Sequence, residues 1–480
     1  MKKSLYIKEF GTITSGPENK SISSGEIEVV QESFDSLVNF IEENQTQEDF
    51  DKAFSVFKRK GRRYIKVKNY VGVIETKEGL VIEILPKIYS STNGKESNEQ
   101  EAKNLLLEML KRLKKSPFVN LNVAHLKEQK NFPILEVFIS SYLTELSTLL
   151  SKELRGDYIT TEDNTRFLKG KLLLKEHIKK NSYNKTNFFC QFDEFNTNIP
   201  PNKLIKSTLL KLNEIAFSNL NKKRIIKSLQ YFELVDESKG IDSDIDYCNS
   251  RSRGFKNYGN LIRWSEIFLK NKSFTNFHGK SINQAILFPM EKLFESYIGY
   301  LIKKYCFGFS VKTQDKRYYL VSQKNNHLDS NYSKQKFQLK PDFVINTDLS
   351  EMEFIIDTKW KILNADSKKY DIKEADIYQM HAYGRRYQNE RQGKSAPRLA
   401  LIYPLNPLFQ DQLPQFKYGT DLLLDVIPFD FSKRDHGKHI SEIIDHLIKN
   451  LPLKRATATI YNINDNDELS IAAEGENQYN

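Results

Sequence analysis

Two acids and a lysine lie close together between Lys340 and Lys361, in the stretch KPDFVINTDLSEMEFIIDTKWK. Phe343-Val344-Ile345 and Phe354-Ile355-Ile356 are short apolar runs, and Asp348 to Glu351 between them has turn chemistry, so the segment predicts two adjacent strands. Asp342 opens the first and Asp357 closes the second. Side chains alternate along a strand, which points Asp357 and Lys359 to one face. Two carboxylates converging from neighbouring strands suit a hard divalent cation such as Mg2+, which takes oxygen ligands and keeps part of its water shell. An ammonium beside them can hold and help deprotonate an attacking water while the metal stabilises charge on a phosphate. A lone D-x-K more often marks a hairpin with solvated acids, so the flanking segments decide between the two.

Upstream, Phe288 to Glu295 starts an apolar-periodic helix running through Tyr305, with Leu293, Phe294, Tyr297, Ile298 and Leu301 on or near one face and Glu295 within reach of the metal. Downstream, Asp376 to Tyr383 reads as a helix in which Gln379 and Tyr383 stand one turn apart. A buried strand follows from Leu399 to Tyr403, ended by Pro404. Helix, strand, strand, helix, strand, with polar groups at the matching edges, resembles the PD-(D/E)xK nuclease fold. That resemblance implies that Asp342, Asp357 and Glu295 bind metal, that Lys359 assists the water, and that Gln379 with Tyr383 supports the site.

The combination L-F-E, P-D, I-I-D-T-K-W-K, D-I-Y-Q-M-x-A-Y and L-I-Y-P resembles McrC, the nuclease subunit of McrBC-type modification-dependent restriction systems. Glu83 to Ile88 is similar to the family's I-x-P-K-I strand end, Arg166 to Leu172 to its L-x-G-K/R segment, and Asp193-Glu194-Phe195 with Asn202-Lys203-Leu204 to its D-E-F and N-x-L pair. The likeness spans about Leu80 to Pro404; Lys340 stands where the family often has arginine before P-D. It implies a Mg2+-dependent endodeoxyribonuclease, with Mn2+ as a substitute. It also implies double-stranded DNA as substrate, 5-methylcytosine-type modification as the trigger, and a partner McrB-like AAA+ GTPase that uses the GTP and is stimulated by this subunit. Self-association is compatible with this. The other classes left open are a stand-alone repair or recombination nuclease and a non-catalytic activator of the motor.

The rest of the chain fits an α/β (α+β) multidomain protein. Its 480 residues are long enough for two or three domains with substantial cores. Residues 1–95 read mainly as strands, with one helix over Ser33 to Glu43, and the resemblance makes them the candidate motor-docking region. Residues 96–276 read as mainly helical, with helices around Leu105 to Leu113, from Ile134 to Leu150 and from Leu204 to Leu220, and a polar loop from Asp236 to Asn257. Residues 277–453 form the expected nuclease unit, and 454–480 a flexible polar tail. Lysine plus arginine total 73 against 62 acids, a net +11 that suits a polyanionic partner. Three scattered cysteines, no leader pattern and no apolar run of membrane length predict a cytoplasmic protein that meets no membrane.

Arg385, Arg386, Arg391 and Lys394 follow the Gln379 helix closely enough to position DNA phosphates, and equally could be a solvated loop. Gly279-Lys280-Ser281 and Gly393-Lys394-Ser395 lack the first glycine of a phosphate-binding loop, where Phe274 and Gln388 stand. His436 and His439 have helical spacing without the cysteine pair that would make zinc the natural reading.

Overall fold

The computed structural model describes residues 4–449 except 24, 46–51, 90–95, 115, 122–132, 153, 184, 252–254, 271–280, 325–331, 348–352 and 391–394. The turn expected at 348–351, Arg391, Lys394 and the tail from 454 onward therefore lie outside the described residues. The chain folds as two compact units, Met1–Tyr297 and Ile298–Asn480.

The first unit opens with β1 (Ser4–Lys8), β2 (Thr12–Gly16), β3 (Lys20–Ser23), β4 (Glu26–Val30) and α1 (Gln31–Asn44), whose Phe34, Leu37, Val38 and Ile41 are buried. Next come β5 (Phe54–Arg59), β6 (Arg62–Val67), β7 (Tyr70–Thr76) and β8 (Val81–Leu85). α2 (Glu99–Lys111) starts at a capping box: the Asn98 side chain accepts from the Glu101 amide, and the Glu101 carboxylate accepts from the Asn98 amide. α3 (Ile134–Leu150) is buried along most of its length, and its bounds are those the hydrophobic period predicts.

The region read as helical also holds a small sheet. β9 (Asp157–Thr165), β10 (Lys171–Leu172), α4 (Leu174–Asn181) and β11 (Phe188–Asn196) form a three-stranded unit in the order β10-β11-β9. β9 reads DYITTEDNT and buries no regular apolar face, so periodicity gave no signal there. Helices then dominate: α5 (Pro200–Ile215), α6 (Asn219–Leu229), α7 (Ile241–Ser250) and α8 (Gly259–Lys270). α7 falls inside the expected polar loop. Its alternating acids are exposed or half-buried while Ile245 and Cys248 are buried, so two apolar contacts suffice to dock an otherwise polar helix.

β12 (Ile282–Pro289) completes a four-stranded sheet in the order β1-β8-β7-β12, pairing antiparallel with β7. The residues expected to open the nuclease unit are thus bonded into the sheet of the amino-terminal strands. Gly72 permits this close pairing: a Cβ there would come within 2.0 Å of the Ile286 carbonyl, and its φ of 137° favours glycine. A second sheet, β3-β4-β2-β6-β5, packs with α1. α9 (Met290–Tyr305) follows β12 directly, and the division between the units falls within it.

The second unit contains β13 (Phe309–Thr313), the hairpin β14 (Tyr319–Lys324) and β15 (Tyr332–Gln338), then β16 (Phe343–Thr347), β17 (Glu353–Thr358), α10 (Glu374–Asn389), β18 (Arg398–Pro404), β19 (Phe416–Tyr418), β20 (Leu422–Phe429) and α11 (His436–Lys449). Its main sheet runs β13-β16-β17-β18-β20-β19, with β17, β18 and β20 mutually parallel and β16 antiparallel to β17. Strands buried on both faces read as continuous apolar runs, as FIID and LALIY do here. Val344, Ile355, Leu399 and Leu401 pack with Met380, Tyr383 and Tyr387 of α10. On the opposite face Phe343 meets α9 so closely that a Cβ on Gly299 would lie 2.7 Å from its ring. No helix among the described residues is long and apolar enough to cross a membrane.

Candidate active site

The register of two strands brings the acids together. Phe343 lies opposite Ile356 in the antiparallel β16–β17 pair, so one step outward Asp342 falls opposite Asp357. Asp342 shares a face with Val344, and Asp357 with Ile355, by the two-residue period; both apolar residues belong to the core under α10. The acids are therefore carried to the side of the sheet that α10 covers. The backbone amide of Asp342 hydrogen-bonds the Asp357 carboxylate. Both acids are buried.

The lysine and the glutamine complete a chain of contacts. Lys359 lies one residue past β17, where its amide still donates to the Ile402 carbonyl at 2.9 Å and so prolongs the parallel ladder. Its ammonium touches the Asp357 carboxylate and donates to Gln379 Oε1 at 3.1 Å. Gln379 Nε2 in turn donates to the Tyr383 hydroxyl at 2.7 Å, the pair standing at i and i+4 on α10. A lysine fixed at both an acid and an amide loses the rotamer freedom that a solvated lysine keeps.

Burial pushes the Asp357 carboxyl above the ordinary value of 3.8, opposed in part by the Lys359 charge, and Asp376 adds to the rise. Burial alone would depress Lys359, but the charge and hydrogen bond of Asp357 outweigh it and hold the ammonium above the ordinary 10.5. Lys359 is accordingly charged at neutral pH, and its side chain remains 19% exposed where the acid is almost fully covered.

Several neighbours escaped the sequence reading. Thr358 donates to Asp342 Oδ2 through both its amide, at 2.8 Å, and its hydroxyl, at 2.7 Å. Gln314 Nε2 donates to Asp342 Oδ1 at 3.2 Å. Lys361 forms an ion pair of 2.6 Å with Asp376, which also accepts from the Tyr403 hydroxyl at 3.4 Å. Lys361 shares the alternate spacing of Asp357 and Lys359, and Asp376 lies three residues before Gln379, so periodicity could have found that pair. No spacing rule would have found Gln314 or Thr358.

The second unit by itself gathers Asp342, Asp357, Lys359, Gln379 and Tyr383. Glu295 belongs to the first unit, half-buried on α9. Arg385 is paired with Asp421 at 2.9 Å and Arg386 with Glu390 at 2.8 Å, both arginines half-buried. His439 accepts from the Asp430 amide at Nε2, and burial pushes it down to about 4, so it is a neutral core histidine. Among the described residues no three His, Cys, Asp or Glu side chains gather as a metal cluster. Mg2+ commonly uses only one or two protein carboxylates, with water and substrate oxygens completing its shell, so the donor chemistry of the Asp342–Asp357 pair fits it.

The fold and this site define a class: a mixed α/β protein with paired acids and a lysine where two interior strands of a sheet meet. The chain belongs to the family of McrBC 5-methylcytosine restriction system components, whose model matches residues 65–404. None of the curated proteins compared matches it. Among solved structures, a chain of a half-complex from a tetradecameric assembly of Thermococcus gammatolerans McrB AAA+ hexamers with bound McrC is similar at 13% identity, with a TM-score of 0.65, over 93% of this chain and 100% of the matched one. At that identity the likeness shows the fold. A chain of the Thermococcus gammatolerans McrBC complex determined by cryo-electron microscopy matches at 16% identity and a TM-score of 0.47, over 63% of this chain and 88% of that one.

Proposed function

We propose that this restriction-system component is the DNA-cleaving subunit, hydrolysing phosphodiester bonds with Mg2+ in a PD-(D/E)xK site. The observation that carries the reading is the register that sets Asp342 opposite Asp357, with Lys359 locked between Asp357 and Gln379. A buried acid pair with one partly exposed lysine is costly for a fold and useful for a site. Asp342 and Asp357 would hold the cation. When bound, Mg2+ supplies charge stabilisation for the phosphate and lowers the pKa of bound water. Lys359 holds the attacking water, and Gln379, steadied by Tyr383, orients the lysine. Arg385 and Arg386 lie on the same helix as Gln379 and are the candidates for phosphate contact.

The partner is proposed to be an AAA+ GTPase of the McrB kind, because the similar assembly joins McrB hexamers to McrC and this chain aligns over the full length of the matched chain. The motor would use the GTP, read the modified DNA and be stimulated by this subunit. The test is to co-purify the chain with the product of the neighbouring gene and assay methylated and unmethylated DNA with GTP and Mg2+. Cleavage that needs methylation, GTP and an intact Asp357 is the expected result. Full cleavage by Asp357→Ala would overturn the site, and GTP-independent cleavage by the chain alone would overturn the division of labour.

A further inference from the structure

The Asp342 carboxylate accepts from Thr358, inside the D-T-K run, and from Gln314, which belongs to none of the motifs. Thr358 occupies Oδ2 through its amide and its hydroxyl. Gln314 reaches Oδ1 through its side-chain amide at 3.2 Å, and its backbone amide donates to the Asp342 carbonyl at 2.9 Å, extending the β13–β16 ladder by one position. Gln314 does this with a φ of 50°, in the left-handed region that glycine and asparagine enter readily and glutamine seldom does. The residue is exposed, so close packing of a core side chain does not force the conformation. A strained residue persists where its surroundings over-determine it, and such residues gather at functional sites. Here two bonds to one aspartate hold it.

We propose that Gln314 is a positioning residue of the cation site: its amide fixes the Asp342 carboxylate in the orientation from which Asp342 and Asp357 share one divalent cation. This rests on reading the acid pair as a metal site. An amide suits the task because it orients the carboxylate without a charge that would compete with the cation. The adjacent acid is kept out of the site: Asp315 is engaged by Arg317 Nε at 2.6 Å and by the Tyr387 hydroxyl at 3.1 Å. The two residues that follow β13 therefore present one neutral group to Asp342 and turn the neighbouring carboxylate elsewhere.

The test uses the full chain without DNA, with Mn2+ as the probe and electron paramagnetic resonance of free Mn2+ as the readout. Gln314→Gly is expected to weaken Mn2+ binding about 10-fold, the usual scale for losing a group that orients a ligand. Its metal-free thermal midpoint should hold or rise, because glycine relieves the positive φ at an exposed position. Asp342→Asn should lose the binding altogether. Wild-type Mn2+ affinity in Gln314→Gly, alongside lost binding in Asp342→Asn, would overturn the role of Gln314 and leave the metal site standing. Weakened binding accompanied by a clear fall in the metal-free midpoint would assign Gln314 to the fold and also overturn it. Wild-type affinity in Asp342→Asn would overturn the metal reading itself.

Discussion

Two carboxylate–lysine pairs, one in each unit, look alike in isolation. In the first unit Lys103 of α2 meets Glu83 of β8 at 2.6 Å, with side chains 3% and 1% exposed. In the second, Lys359 meets Asp357. Burial raises both acids, and in both pairs the acid's charge overcomes burial to raise the lysine. The direction of the pKa shifts does not separate them, although Lys103 is 3% exposed and Lys359 19%. Their other partners do. Lys103 is closed by a second ion pair with Glu99 at 2.7 Å, and Glu83 accepts from the Ile134 amide at the start of α3, so the pair ties strand to two helices and has nothing left to offer. Lys359 instead leans on a neutral amide, and a second acid stands across the strand from its partner. Both pairs have a second acid, but Glu99 bonds Lys103 itself, whereas Asp342 is held by Thr358 and Gln314, so in the second pair two carboxylates stand beside one lysine and are relieved by a proton or by an added cation.

Breaking each pair should have opposite consequences. The largest effect expected is on cleavage: Asp357→Ala reduces it to background, and Lys359→Ala lowers it by about 100- to 10,000-fold, the usual range for a group that handles a proton. Both variants should keep the circular dichroism of the wild type. Retained cutting by either would make this pair structural, like the other one.

On the first pair the effect should be on stability. Lys103→Met leaves Glu83 buried without its cation, and denaturant unfolding should report a loss of about 3 kcal/mol or more. Because β12 is bonded to β7, residues before 95 cannot be removed without stripping a partner from a buried sheet, so motor stimulation is better tested by point substitutions than by deletion. Little loss of stability in Lys103→Met would erase the distinction drawn here.

Metal and pH sharpen the contrast further. Mg2+ at about 100 times its dissociation constant should stabilise the wild type by about 2.7 kcal/mol, and should leave Asp357→Asn unmoved. Since Asp357 is raised in the fold, the folded state favours its protonated form, and its contribution to stability falls as pH climbs from 3.8 through the raised value. Without metal, Asp357→Asn should therefore gain on the wild type over that window. Lys103 and Lys359 are both raised, so their contributions are fully present below 10.5 and are lost only as pH rises through the folded values above it. A thermal-midpoint titration of each variant checks both signs.

The smallest effect concerns Arg385, whose pairing with Asp421 is between side chains more than one-third exposed. Arg385→Ala should cost under about 1 kcal/mol of stability. If the arginine contacts phosphate in the complex, the slope of log affinity against log salt should fall by about one. An unchanged slope would leave Arg385 a surface ion pair.

The local pattern was enough for much of this. Apolar runs flanked by turn chemistry placed the strands of Asp342 and Asp357, alternation put Lys359 beside Asp357, and helical spacing set Tyr383 one turn from Gln379. The ends of α3 were legible for the same reason: a long apolar helix carries its period in every turn. What the sequence could not decide was which distant segment each element would join. β12 has the apolar content of a nuclease strand, yet it pairs with β7. β9 and β11 are paired although β9 is too polar to announce a buried face, and α7 forms where its acids suggested a loop. Gln314 shows the limit most clearly, since a glutamine after a strand is unremarkable until tertiary pairing bends it onto Asp342. Periodicity records which side of an element is apolar, whereas strand partners and side-chain contacts are settled by long-range packing that no local window contains.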